Sequence, residues 1–258
     1  MKTTFSEFSI TVGDLVLPVR LGEPKHLSEE PALLLNFGSD RITNLEEHPC
    51  DIPVRAFLAA GHRVASFDLP CHGERKAAEW PQEIEGFCGN FVAGTDVFAG
   101  FVDEGKAVID RLIQDGLAKP GRVFVPGTSR GGYCAFRLAA ADARIAGAAG
   151  YAPVTDWRAL REFAAIKDQP DVAALSLVQF AQALAGRPIW FAIGNSDDRV
   201  GTDCALRFAE AIAQFESEKE LSSHMGIHVT SDAGHTLSDD WRQKGAEFLL
   251  DVMLTTNV

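Results

Sequence analysis

No run of about 18 uninterrupted apolar residues occurs in the 258-residue chain, so no segment reads as a membrane-spanning helix. Basic residues are scarce. The 24 Lys and Arg stand against 36 Asp and Glu, a formal net charge of −12, which opposes association with nucleic-acid phosphates or anionic membrane surfaces. Five cysteines, at positions 50, 71, 88, 134 and 204, form no close-paired spacing and no disulfide framework. No Cys-x-x-Cys pair occurs and the histidines are scattered, so a metal site is not indicated. No Gly-x-Gly-x-x-Gly follows a strand-like run, which removes the signal for a dinucleotide cofactor. The N-terminal stretch MKTTFSEFSITVGD lacks the apolar core of a signal peptide. These absences predict a soluble, reduced, cytoplasmic protein with no cofactor and no metal, whose partner is a small molecule and not nucleic acid or a membrane. Any oligomer is expected to be a homodimer.

What is present is apolar material sufficient for a large core, 46% of the residues, which suits a single α/β domain over residues 1–258. FSITVGDLVLPVRL alternates apolar and polar residues around Val12-Gly13-Asp14, as a hairpin with one solvated face would. PALLLNF (31–37), HRVASFDLP (62–70) and RVFVPG (122–127) are short and mostly apolar, the pattern of strands covered on both faces. RIAGAAGYAPV (144–154), RPIWFAIGN (187–195) and MGIHVTSDAG (225–234) continue the series. Helical stripes lie between them, with Phe101, Gly105, Val108 and Leu112 in one and Phe208, Ile212 and Phe215 in another, the latter behind a Thr202 or Asp203 cap. Strand alternating with helix predicts a mostly parallel sheet with helices on both faces and ligands at the carboxyl ends of the strands. Residues 155–186 supply two or three helices where a simple crossover needs less; they read either as a small helical cap over the site or as ordinary packing helices.

The stretch VFVPGTSRGGYCAF places Ser129 between Gly127 and Gly131, where a strand becomes a helix. A serine hydroxyl becomes a useful nucleophile only with a base, an acid that orients the base, and donors for the oxyanion. Gly-x-Ser-x-Gly in this setting fits a nucleophile elbow, in which a strained turn lifts the hydroxyl clear of the sheet. The acid and base should follow in that order. Asp197 lies just beyond the apolar run ending at Gly194, with Asp198 as its competitor, and His235 lies in the loop after the last strand. For the oxyanion, the backbone N–H of Arg130 is the first donor expected, and that of Ser39 in the loop Phe37-Gly38-Ser39-Asp40 the second, with Phe37 as alternative.

Three motifs carry a resemblance to the α/β-hydrolase superfamily over about residues 10–250. GHRVASFDLPCHGER resembles the family's stretch after the fourth strand, which ends Asp-x-Pro-x-His-Gly. GTSRGGY resembles the elbow, and GNSDDRV with DAGHTL resembles the acid and histidine loops, which favours Asp197 as the acid. SRGGY and the HGER-type loop lean toward esterases and peptidases related to prolyl oligopeptidase and dienelactone hydrolase. The resemblance implies the α/β-hydrolase fold and a Ser129-His235-Asp197 triad. Departures are the NFGSD loop, with Phe37 where many members have histidine, the absence of a preceding propeller, which disfavours oligopeptidase activity, and a serine where dienelactone hydrolases carry cysteine.

The resulting expectation is a serine hydrolase cleaving a small or medium carboxylic ester through an acyl-enzyme. A thioesterase, a small-peptide hydrolase and a non-catalytic binding protein of the same fold are the alternatives. Trp80, Phe87, Phe91 and Phe98 are candidates for an acyl pocket, with core packing expected for at least two of them. Arg130 reads as an anion-binding group or as a partner of Asp96 or Asp103, and Glu74 with Arg75 as a local ion pair or entrance lining. Cys71 and His72 are weighed as a thiol and base pair and set aside, since neighbours in a tight turn seldom face each other.

Overall fold

Runs whose side chains are apolar in both directions decide where the strands lie. The computed structural model describes residues 3–76 and 82–255. Its strands are β1 (Thr3–Val12), β2 (Leu15–Pro24), β3 (Leu33–Leu35), β4 (Arg63–Phe67), β5 (Val123–Thr128), β6 (Ile145–Tyr151), β7 (Ile189–Gly194) and β8 (Met225–Thr230). They form one sheet in the order β1-β2-β4-β3-β5-β6-β7-β8. β1 and β2 make the N-terminal hairpin through Gly13-Asp14, with Val12 opposite Leu15. β2 meets β4 antiparallel, and from β4 to β8 every pairing is parallel.

Alternation along each strand divides the core between the sheet's two faces. Leu33, Leu35, Val123, Val125, Phe191 and Ile193 point to one face, where they meet helices α4 (Val97–Gln114), α5 (Arg130–Ala141) and α8 (Thr202–Glu218). Leu34, Phe124, Trp190 and Ala192 point to the other, against Val54 and Phe57 of α2 (Ile52–Ala59) and Leu249 and Met253 of α9 (Asp239–Thr255). The helical stripe read from α4 is its buried face: Phe101, Gly105, Val108 and Leu112 all lie inside. This is the α/β-hydrolase architecture.

One detail differs from the sequence reading, and a second agrees with it in the number of helices while showing them to be short. α8 has neither Thr202 nor Asp203 as its side-chain cap; Gly201 occupies that position. The Thr202 hydroxyl is used elsewhere, and Asp203 pairs with Arg207 one turn on, at 2.7 Å. Residues 155–186 contain no helix longer than α6 (Pro170–Ala174); α7 (Ala181–Leu184) and three short 3₁₀ turns complete the segment. Trp157, Phe163, Leu177 and Leu184 from it are buried in the core beside α5 and α8.

Among the described residues no helix is long and apolar enough to cross a membrane, and no group of three or more His, Cys, Asp or Glu is arranged to hold a metal ion.

Candidate active site

A parallel sheet sends the loops after its strands to one edge, and the site is assembled there. Ser129 follows β5 directly, with φ 54° and ψ −118°, a conformation costly to any residue with a Cβ. The surroundings hold it in place. The Ser129 N–H donates to Tyr151 O on β6 at 2.9 Å, and its carbonyl accepts from Gly132, Tyr133 and Val154. The flanking glycines are required by close backbone approach: a Cβ at Gly127 would lie 2.2 Å from Gly131 O, and one at Gly131 would lie 2.4 Å from Phe37 O and 2.6 Å from Gly38 N.

His235 meets this serine from the loop after β8. Its Nδ1 lies 2.8 Å from Asp197 Oδ2 and its Nε2 2.9 Å from Ser129 Oγ. Because the carboxylate can only accept, Nδ1 carries the hydrogen and Nε2 is left to accept from the serine hydroxyl. Asp197, not Asp198, reaches the imidazole. Its other oxygen, Oδ1, accepts from the N–H groups of Arg199 and Val200, at 3.0 and 3.2 Å. Thr202 fixes the same loop, donating its hydroxyl to Gly194 O at 2.5 Å while accepting from the Asp197 N–H at 3.1 Å. No feature of the sequence marked that bolt, since a threonine at a helix start reads first as a cap.

The anion loop after β3 corrects an expectation. Ser39 N–H donates to Asn44 Oδ1 at 2.8 Å, inside the short helix α1 (Arg41–Glu46), and is thereby occupied. Phe37 N–H is occupied as well, by Pro126 O at 3.1 Å. Among the described residues the Gly38 N–H between them has no hydrogen-bond partner, and neither has the Arg130 N–H at the start of α5. The open donors of the two loops are therefore Gly38 and Arg130.

The HGER loop also differs from its expected pairings. Glu74 bonds Arg41 at 2.6 Å, and Arg75 forms a two-pronged pair with Glu104 of α4, both contacts at 2.7 Å. Asp68, at the end of β4, accepts from the N–H groups of Arg41 and Glu74, each at 2.8 Å, and so joins the loop to α1. Cys71 and His72 do not act together: the Cys71 sulfur accepts from Asn90, and His72 faces Pro70 O at 2.8 Å and Arg130 Nε at 2.7 Å. Arg130 touches neither Asp96 nor Asp103; among the described residues its nearest carboxylate is Glu83, at 3.7 Å.

A cavity of about 610 Å³ opens over Ser129 and His235, and charged groups form most of its wall: Glu83, Glu85, Arg130, Arg161, Glu162 and Arg199. The expected aromatic wall lies elsewhere. Phe87 and Phe98 are fully buried against Trp157, at ring separations of 5.3 and 4.9 Å, while Phe91 lines a different cavity and Trp80 falls outside the described residues. Arg161 and Glu162 bring the 155–186 segment to the rim of the site.

Burial, reinforced by the Arg130 charge, pulls the His72 imidazole down to about 4, and burial with Arg122 does the same to His62. Both stay neutral in the folded chain while the unfolded chain would protonate them near 6.5. Between those values the folded state binds fewer protons, so its stability is present above the window and is lost as the pH falls through it. Thermal denaturation at stepped pH should show Tm falling by roughly 5 °C or more from pH 6.5 to pH 4, with a shallower slope in His62→Gln. A flat profile would contradict the burial argument.

The sequence and the fold were compared with known proteins. The prolyl oligopeptidase family model matches residues 100–253. No curated protein matches the chain in sequence. Among solved structures, a protein of Thermus thermophilus is 22% identical with a TM-score of 0.70, over 97% of this chain and 98% of that one. A cold-adapted esterase from an Arctic intertidal metagenomic library is 16% identical with a TM-score of 0.70, over 96% and 93%. The acylaminoacyl peptidase of Pyrococcus horikoshii is 13% identical with a TM-score of 0.71, over 98% of this chain and 42% of that one. At these identities the likenesses describe the fold.

Proposed function

Since the chain belongs to the prolyl oligopeptidase family of hydrolases, we propose that it is a serine hydrolase that cleaves a small or medium carboxylic ester through an acyl-enzyme. The observation that carries this reading is the imidazole of His235 standing between Ser129 Oγ at 2.9 Å and Asp197 Oδ2 at 2.8 Å. In the reaction, Nε2 takes the hydroxyl proton as Oγ attacks the ester carbonyl, and Asp197 stabilises the imidazolium that results. The developing oxyanion accepts from the N–H groups of Arg130 and Gly38, donors left open in the resting protein. His235 then returns its proton to the departing alcohol, and water, activated by the same imidazole, releases the acid.

Peptidases share this fold and this family, so a small-peptide hydrolase is the competing reading. Rates on an ester, a thioester and an amide of one acyl group separate the three chemistries. The reading itself is tested by intact-mass analysis after treatment with a fluorophosphonate, followed by peptide mapping. One adduct on Ser129, lost on heat denaturation, is expected. A folded protein that takes no adduct would refute it and favour a non-catalytic binding protein.

A methyl group at Gly131 would press on Phe37 O and Gly38 N, within 2.4 and 2.6 Å, and so displace the second oxyanion donor. Gly131→Ala is expected to lower kcat by roughly 10²- to 10³-fold. Steady-state kinetics alongside circular dichroism would separate that loss from unfolding.

A further inference from the structure

Three arginines line the cavity over Ser129 in a chain whose formal net charge is −12. Two of them are accounted for. Arg199 donates to both oxygens of Glu162, at 2.7 and 2.8 Å, and Arg161 reaches the same carboxylate at 3.2 Å. Glu162 is thus saturated by two guanidinium groups.

Arg130 is held differently. Its Nε–H donates to His72 Nε2 at 2.7 Å, and His72 in turn donates Nδ1–H to Pro70 O at 2.8 Å. The carbonyl can only accept, so the proton sits on Nδ1 and Nε2 offers a lone pair. His72 is 1% exposed, and its burial keeps it neutral. A neutral imidazole aims a guanidinium without cancelling its charge, as a carboxylate in the same place would. Among the described residues the one carboxylate near Arg130 is Glu83, 3.7 Å from Nη2, and Glu83 also holds Lys76 Nζ at 3.2 Å. The cation next to the nucleophile is therefore partly desolvated and loosely paired, a state that an incoming anion relieves.

We propose that Arg130 recognises a carboxylate on the substrate, so that the ester cleaved at Ser129 is an anionic one. This rests on the hydrolase reading above and narrows its substrate class. The planar fork of arginine suits a carboxylate, and the residue's place directly after Ser129 puts that carboxylate close to the scissile bond. Glu83 is the resident competitor that the substrate displaces.

Two matched pairs of substrates test the assignment: p-nitrophenyl hemiglutarate against its methyl ester, and 3-carboxyphenyl acetate against 3-carbamoylphenyl acetate. They place the charge on the acyl side and on the alcohol side in turn. In the wild type, kcat/KM for the anionic member of one pair is expected to exceed that of its neutral partner by roughly tenfold to a hundredfold. The ratio should collapse toward one in Arg130→Gln, be kept in part in Arg130→Lys, and rise severalfold in Glu83→Gln. A ratio near one in the wild type for both pairs, or a ratio that survives Arg130→Gln, overturns the proposal while leaving the hydrolase reading intact. Absence of turnover on all four esters, with Ser129 unlabelled by a fluorophosphonate, overturns both. Because Glu83→Gln moves the ratio upward, a folding defect in the arginine variants does not shield the proposal.

Discussion

Ser129→Ala should lower kcat by roughly 10⁴- to 10⁶-fold on any ester the wild type turns over. The size follows from how many groups converge on one oxygen. Removing Oγ deletes the attacking atom, leaves His235 without the proton it is oriented to take, and leaves the two open amides with no tetrahedral species to bind. What remains is water attacking a carbonyl that those amides can still polarise, hence a residual rate above background. The fold should be unaffected, because the hydrogen bonds that fix the turn use the backbone of residue 129 and not its hydroxyl. Steady-state kinetics with a thermal melt of the same preparation check both halves. Retained activity in a clean preparation would remove Ser129 from the mechanism.

Asp197→Asn is the second large effect, a loss of roughly 10⁴-fold in kcat. The asparagine would fit the space of the carboxylate, and its oxygen could still accept from the Arg199 and Val200 amides, which bond Oδ1 in the native chain. That leaves the amide NH₂ facing His235 Nδ1. A donor there forces the imidazole hydrogen onto Nε2, the wrong nitrogen for taking a proton from serine. The variant also loses the charge that supports the imidazolium. The expected signature is a collapse of kcat with KM little changed and a matching fall in the rate of fluorophosphonate labelling. Asp198→Asn, on the exposed neighbour, should change kcat less than about threefold, in line with surface substitutions generally.

The strands, their order along the chain and the meeting of Ser129, Asp197 and His235 at one edge of the sheet were legible because each has a one-dimensional signature. A doubly buried strand is a short apolar run, and the order Ser, Asp, His survives projection onto sequence. The residues that were misread depend on competition for a donor or on contacts between distant segments. Ser39 was preferred to Phe37, but the Ser39 amide is taken by Asn44, five positions on, and the Phe37 amide by Pro126 O. Thr202 looked like a cap because its partners, Gly194 and Asp197, belong to a loop whose path cannot be read from spacing. Arg130 was matched with acids on α4, whereas its real partner is His72, 58 positions earlier in the chain. Phe87 and Phe98 could have walled the site or the core, and only the facing direction of helices α3 (Glu83–Val92) and α4 decides between these.

The missing side chains at Gly127 and Gly131 also bear on motion. With β3's end and the β5–α5 turn in backbone contact, and with Phe37 donating its N–H to Pro126 O and accepting from the Thr128 N–H, Ser129 and the loop after β3 are tied together in the middle of the sheet. Freeing either would mean breaking the central strand pairing, an opening near the global limit of stability and far too rare to accompany each turnover. If the chain is the hydrolase proposed here, entry and departure of substrate fall to the walls of the cavity, the start of α3 and the turn carrying Arg161 and Glu162. On the proposed reading, the chemistry rests on the central strand pairing, and access to it on the start of α3 and a three-residue 3₁₀ turn.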